Sequence, residues 1–429
     1  MGQTLLLKNG YMADPDTGYE GYADLLIRDG LIEEAGPDLS AHGAAVYDLT
    51  GMTVLPGLVD LHVHLRDPGQ THKEDLVTAS EAAARGGVTT LLAMPNTTPP
   101  MDRPERIRYV TEKAAKVTRI HILQASAITK DMAGEELTDI EALAASGVKA
   151  FSEDGKSVMN ASLMRKAMRR IAGEDLLICD HCEEITMVEG GVMNDDANAR
   201  RLDLPGIGNE VEDVIAARDV ILAKHTGARL HLCHCSTAGS VRILEQAKKQ
   251  QLPVSGEVCP HHFILSSDDI PCDDGNFKMN PPLRSKEDVL ALREGLKNGV
   301  IDCISTDHAP HSADEKSRGF RKSPFGIVGI ETSAALTYTE LVRPGVITLM
   351  QMAEKMSFNP AKILRVPGGS LRPGMPADVA VFDFEKAYTI DPGTFASKGK
   401  NTPFAGRTVF GETVMTIAGG EIVYERGKR

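Results

Sequence analysis

The sequence predicts an α/β protein built as a (β/α)8 TIM-like barrel with a small β-sandwich domain formed by both termini. Three observations carry this expectation. Between residues 54 and 310, apolar β-branched runs alternate eight times with segments of helical periodicity. Both ends of the chain instead show short alternating runs separated by turn dipeptides. Metal-ligand residue types recur where the barrel strands end, which is the face that carries chemistry in this architecture. The expected division is 1–53 for the first part of the sandwich, 54–368 for a metal-dependent barrel and 369–429 for the second part of the sandwich.

The N-terminal runs TLLLKNGYMAD, YADLLIRDGLIEEAG and AAVYDLTG carry NG, DG and TG dipeptides, which predict turns between antiparallel strands. Barrel strands are expected at 53–64, 88–95, 119–128, 148–154, 176–182, 229–236, 253–263 and 302–310. Helical patterns such as EDLVTASEAAARGG, SLMRKAMRRIAG and VEDVIAARDVILAKHTG lie between them, several closing on Gly, where a helix C-cap belongs. The tail returns to the style of the N-terminus with ADVAVFDF, RTVFGETVMTIAGG and EIVYERG. Neither end has enough apolar surface for its own core, so the two are expected to fold together.

A composition of 42% hydrophobic and 25% charged residues excludes disorder and a membrane span. The net charge is −13 and no Lys/Arg block is present, so nucleic-acid binding is not expected. MGQTLLLKNG lacks a secretory pattern, and Leu6 stands where a myristoylation motif needs Ser or Thr. Seven cysteines, an odd number, suit reduced thiols, and a cytoplasmic location is expected. Cys179-x-x-Cys182 has no second pair at finger-like spacing and reads as buried strand cysteines.

His62 and His64 are two apart in DLHVHLRDPGQ, so both rings face one side of a strand end. Asp154, His181, His234 and Asp307 close four later strand candidates. Imidazole and carboxylate without thiolate suit Zn²⁺ first, with Mn²⁺, Co²⁺ or Fe²⁺ as alternatives. Four histidines and two carboxylates exceed one tetrahedral shell and fit two ions bridged by a carboxylate and a hydroxide. Metal-assisted hydrolysis is the expected reaction class. His261 and His262, expected at the end of strand seven, are adjacent, so at most one should look inward.

The motifs GLVDLHVHLRDPGQTHKED (57–75), AMPNTTPP (93–100), KAFSEDG (149–155), HCEE (181–184), HLCHCST (231–237), EVCPHHF (257–263), KMNPPLR (278–284) and STDHAPH (305–311) resemble type I bacterial dihydroorotases of the amidohydrolase superfamily. The resemblance spans essentially the whole chain. It implies one zinc on His62, His64 and Asp307, and a second on His181 and His234. Many superfamily members bridge the two with a carboxylated lysine; the corresponding residue here is Asp154, which reaches less far. The resemblance also implies that Arg66, Asn96 and His311 take the substrate carboxylate, with His64 beside them. Asn280 and the backbone of Phe325 and Gly326 would take the ring, and Asp307 would shuttle the proton. Relatives that hold an additional zinc make Cys233 and Glu257 a further candidate site.

The implied reaction is the reversible cyclisation of N-carbamoyl-L-aspartate to dihydroorotate, in pyrimidine biosynthesis. A homodimer and a complex with aspartate transcarbamoylase are implied partners. Two other readings stand beside it. A hydantoinase or allantoinase would share the barrel and metals without needing Arg66, and a non-catalytic dihydroorotase-like scaffold would lack metal ligands. The polar segment 311–326 reads either as a lid over the site or as a solvated loop.

Overall fold

β1 (Thr4–Asp14), β2 (Tyr19–Arg28), β3 (Leu31–Gly36), β4 (Ala45–Asp48) and β5 (Thr53–Pro56) open the chain. In this computed structural model, which describes residues 4–428, the outer limits of the expected terminal segments, residues 1–3 and 429, lie outside the described residues. β2 pairs antiparallel with β3 through Asp29-Gly30, as that dipeptide predicts, and with β1 through a turn at residues 15–18. The NG at 9–10 behaves differently. β1 runs straight through it as a bulge, with Asn9 at φ 64° and the register shifting between Leu7 and Gly10. β1 also pairs in parallel with β4 and β5, so the segment is not purely antiparallel.

Gly57 then links this sheet to the next layer; a Cβ there would lie 2.3 Å from Thr89 Oγ1. β6 (Leu58–Val63), β7 (Val88–Ala93) and β8 (His121–Gln124) form a three-stranded parallel sheet. After Ala125 come β9 (Ser126–Ala127), β10 (Ala150–Ser152) and β11 (Leu177–Asp180). β12 (Met193–Asn194) and β13 (Gly206–Ile207) form a separate two-stranded parallel pair. β14 (Arg229–Leu232), β15 (Val254–Val258) and β16 (Cys303–Ile304) complete a six-stranded parallel sheet in the order β16-β15-β14-β11-β10-β9. The two parallel sheets meet twice. Ala125 N–H donates to the Ala93 carbonyl at 2.9 Å, and Val63 bridges His308 in parallel.

These strands are buried along their whole length in β6, β7, β10 and β11, as parallel strands covered by helices should be. Helix Leu76–Arg85 starts on Asp75, whose carboxylate accepts from the Val77 and Thr78 N–H groups, and it turns Ala79, Ala82 and Ala83 into the core. Helix Glu210–Thr226 ends at Gly227, φ 74°, the left-handed cap expected from its sequence. β17 (Val379–Thr389), β18 (Thr408–Ala418) and β19 (Glu421–Glu425) return to the first sheet, where β17 lies antiparallel beside β5. The order is β19-β18-β17-β5-β1-β2-β3, with β4 on β1, so both termini share one eight-stranded mixed sheet. Leu7, Leu25, Ile27, Val54, Val379, Val381, Met415 and Ile417 fill its core.

Candidate metal centre and substrate pocket

His62 lies in β6, and the other residues expected as metal ligands follow their strands by one to three positions. His64 follows β6, Asp154 β10, His181 β11, His234 β14 and Asp307 β16. All six are buried and converge. His62 Nε2 is 3.1 Å from Asp154 Oδ1 and 3.7 Å from Asp307 Oδ1, while His64 Nε2 is 3.0 Å from Asp307 Oδ1 and 3.5 Å from Asp154 Oδ2. His181 Nδ1 and His234 Nε2 lie 3.6 and 3.7 Å from Asp154 Oδ1 and 2.9 Å from each other. Asp154 therefore touches all four imidazoles. His234 and Asp307 hold positive φ, 30° and 47°, a local cost of the kind that clusters at functional sites.

Two hydrogen bonds choose which ring nitrogen faces the centre. Glu257 Oε1 lies 3.0 Å from His62 Nδ1, and Asn96 Oδ1 lies 2.9 Å from His64 Nδ1. Both oxygens accept, so both rings carry the proton on Nδ1 and turn the Nε2 lone pair inward. Glu257 also meets His231 Nε2 at 3.1 Å and accepts from Ser305 Oγ. Asp60 accepts from the Thr306 N–H and hydroxyl and from the His62 N–H, which ties β6 to the segment carrying Asp307. Burial pushes the Asp60 carboxyl up to about 6 despite these bonds.

Burial disfavours charge on His62, yet Asp154, Glu257 and Asp307 around it raise its pKa well above the ordinary value. His181 rises to about 10 for the same reason, against its burial and through Asp154 and Glu183. Asp154, although buried, is held well below the usual carboxylate range by His62, His181 and His234. His62 Nε2 and Asp154 Oδ1, both buried, have no partner of hydrogen-bonding geometry. Buried polar atoms left in this state call for a complement, and a divalent cation supplies it where imidazoles and carboxylates converge. His62, His64 and Asp307 form one set of donors within ligand distance of each other, and His62, Asp154 and His234 a second. The residues fit a metal.

Beside this centre Arg66, buried and at φ 59°, donates from Nε to the Pro310 carbonyl at 3.3 Å. Burial lowers its pKa to about 10, so it stays charged at neutral pH. The neighbouring carboxylates are engaged elsewhere, Asp67 with Lys113 and Tyr109 and Asp75 with Lys398. His311 Nε2 lies 3.4 Å from an Arg66 terminal nitrogen and 2.8 Å from the Phe325 carbonyl. Gly326 has φ 129°, and a Cβ there would lie 2.6 Å from Ala309 Cβ and 3.2 Å from His311 Nε2, so the close approach needs glycine. Asn96 spends its amide on His64 and, through Nδ2, on Asp154. Asn280 stands on the other flank, its Nδ2 donating to Glu183 Oε1 at 2.8 Å. The segment 311–326 forms short helical turns, and the buried Lys316 ammonium donates to the carbonyls of Lys278, Pro324 and Gly326.

One expectation needs correcting. β15 stops at Val258 and Pro260–Ile264 is a helical turn, so strand alternation does not govern His261 and His262. Both are buried, with Cys259 within ligand distance, and burial drives His261 down to about 4. Cys233 and Glu257 come together with His62, but Glu257 is already bound to His62 Nδ1. Sequence reasoning missed the orienting roles of Glu257, Asp60 and Glu183. A carboxylate inside an apolar strand run was the available signal for the first two.

A dihydro-orotase-like family profile matches residues 51–240, and an amidohydrolase family profile matches residues 274–424. The chain is 46% identical over 421 residues to a dihydroorotase of Bacillus cereus, covering 98% of each chain. It is 48% identical over 390 residues to a dihydroorotase of Geobacillus kaustophilus, covering 91% of each. Among solved structures it is similar to an L-hydantoinase (dihydropyrimidinase) from Arthrobacter aurescens, with a TM-score of 0.89, 26% identity, and coverage of 100% of this chain and 97% of the other.

Proposed function

The chain belongs to the dihydroorotase family, and from that premise we propose how its residues perform the reversible cyclisation of N-carbamoyl-L-aspartate to (S)-dihydroorotate and water. It is a cyclic amide hydrolase acting in pyrimidine biosynthesis. The observation that carries the proposed site is the convergence of His62, His64, Asp154, His181, His234 and Asp307 beside a buried, carboxylate-free Arg66.

His62, His64 and Asp307 would hold one zinc and His181 and His234 the second, with Asp154 between them. When bound, such ions polarise a carbonyl and make water acidic enough to supply a nucleophile at neutral pH. Arg66 presents a planar fork matched to the substrate carboxylate, with His311 and Asn96 beside it. Asn280 and the Phe325-Gly326 backbone orient the ring. Burial works against ionisation of Asp307, but His64, His62 and His234 lower its pKa, so its carboxylate is free of a proton at neutral pH. In ring opening Asp307 takes a proton from the attacking water and passes it to the leaving ring nitrogen; cyclisation runs these transfers backwards.

The fold reading that accompanies this site is a closed (β/α)8 barrel at 54–368 carrying a β-sandwich from 1–53 and 369–429. The parallel order of β6 to β16 and the Val63–His308 bridge support closure. A homodimer, association with a transcarbamoylase and a cytoplasmic location belong to the same proposal; the seven free cysteines support a reducing compartment. Among the described residues no helix is long and apolar enough to cross a membrane.

The likeness to a hydantoinase structure favours a second reading, hydrolysis of a neutral cyclic amide. Arg66 decides between them, since a neutral ring leaves a buried guanidinium unanswered. Zinc-loaded protein should cyclise N-carbamoyl-L-aspartate and leave hydantoin and allantoin essentially untouched. Preference for hydantoin would overturn the assignment.

A further inference from the structure

We propose that Lys73 is a positioning residue for the substrate-carboxylate pocket, holding His311 in the tautomer whose Nε2–H stands beside the Arg66 guanidinium. This rests on the reading of Arg66 and His311 as carboxylate-binding. Lys73 Nζ lies 3.3 Å from His311 Nδ1. An ammonium can only donate, so Nδ1 is the acceptor and the ring proton sits on Nε2. The other face agrees: Nε2 is 2.8 Å from the Phe325 carbonyl, which can only accept. The third neighbour, an Arg66 terminal nitrogen 3.4 Å from the same Nε2, is a donor facing a donor. The Phe325 carbonyl takes the Nε2–H, and the Arg66 N–H beside it finds no lone pair on the ring. A carboxylate oxygen completes that arrangement.

Glu315 makes the role of Lys73 specific. Its Oε1 is 2.9 Å from Lys73 Nζ, and its Oε2 is 3.7 Å from His311 Nδ1. With the ammonium present, Glu315 is answered and Nδ1 receives a hydrogen. Without it, the nearest charged partner of Nδ1 is a carboxylate, which draws the ring proton to Nδ1. The Nε2 lone pair would then face both the Phe325 carbonyl and the incoming substrate carboxylate. The ring itself is neutral: burial, with Arg66, Lys73 and Lys316 around it, takes His311 down to about 2. Tautomer, rather than charge, is the quantity Lys73 controls.

Nitrogen-15 NMR of histidine-labelled protein, with the His311 signals identified by their loss in His311→Gln, reads the tautomer directly. Wild type and Lys73→Arg should show Nε2 protonated and Nδ1 bare, and Lys73→Met should show the reverse. In steady-state assays Lys73→Met should raise KM for N-carbamoyl-L-aspartate about tenfold or more with kcat within about threefold, and Lys73→Arg should restore most of it. A wild-type ring protonated on Nδ1 overturns the proposal even if Lys73→Met fails to fold. So does a Lys73→Met enzyme that loses kcat at unchanged KM. Arg66→Met separates two failures. A normal KM there overturns the pocket reading and the proposal with it, whereas a raised KM there beside a normal one in Lys73→Met overturns the Lys73 role alone.

Discussion

The carboxyl ends of the parallel strands and the eight-stranded terminal sheet are built from similar extended segments and solve opposite problems. In the terminal sheet the inward residues are Leu7, Leu25, Ile27, Val54, Val379, Val381 and Ile417, which need only each other. At the strand ends the inward residues are four imidazoles and two carboxylates, drawn from five strands, with His62 Nε2 and Asp154 Oδ1 left without a partner of hydrogen-bonding geometry. Burying such groups costs free energy that packing does not return. The sheet is complete as protein alone; the centre is complete only with a ligand. Stability and chemistry are thereby assigned to different regions, and substitutions in each should have separable consequences.

The largest effect expected is from Asp307→Asn, which keeps the shape of the side chain and removes the proton acceptor. Turnover should fall about 100- to 10,000-fold while the unfolding midpoint changes little. Near-normal turnover with metal bound would exclude Asp307 as the proton carrier. Leu25→Ala inverts the pattern. It should destabilise the protein by about 2–5 kcal/mol in chemical denaturation while leaving kcat unchanged below the unfolding transition. A large loss of kcat there would show that the two regions are not independent.

Glu257→Gln should weaken metal affinity about 10- to 100-fold, because the carboxylate that fixes the His62 tautomer is lost and every ligand remains. Metal titration followed by elemental analysis would detect it. The smallest effect expected lies where the amino end of β8 meets the segment leading into β17, and His121 Nε2 is 3.0 Å from Asp378 Oδ1. The Asp378 hydrogen bond raises the His121 pKa against its burial. Its contribution to stability is therefore full below the unfolded histidine value, about 6.5, and is lost as pH rises through the higher folded value. The imidazole is half-exposed, so solvent screening keeps this contribution within about 1 kcal/mol. Thermal unfolding of wild type and His121→Asn should differ at pH 5.5 and converge at alkaline pH; a constant difference would remove the pair as its source.

The sequence was most readable where one physical rule governs. Alternation placed His62 and His64 on one side, and helical periodicity with a closing Gly located the helix Glu210–Thr226 and its cap at Gly227. It misled where tertiary context decides between equal local options. Asn9-Gly10 suits a hairpin turn and a bulge alike, and pairing of β1 with β2, β4 and β5 selects the bulge. Pro260 begins a helical turn as readily as it ends a strand, which moved His261 and His262 off the expected alternation. Glu257 and Asp60 showed only as carboxylates within apolar runs, because the distant partners that reveal their roles, His62 for Glu257 and Thr306 for Asp60, lie 195 and 246 residues away. Asn96 was expected at the substrate, and no spacing encodes the further bonds its amide makes to His64 and Asp154.

The central claim, that the six converging residues form a metal centre serving a carboxylate-bearing cyclic amide, is tested most directly by zinc titration of chelated protein with cyclisation of N-carbamoyl-L-aspartate as the readout. Activity should be absent without metal and rise with zinc, saturating at two ions per chain, with bound metal lost in parallel on His62→Ala and Asp154→Ala. Full cyclisation by protein shown to be metal-free, or saturation with zinc and no turnover, would contradict it.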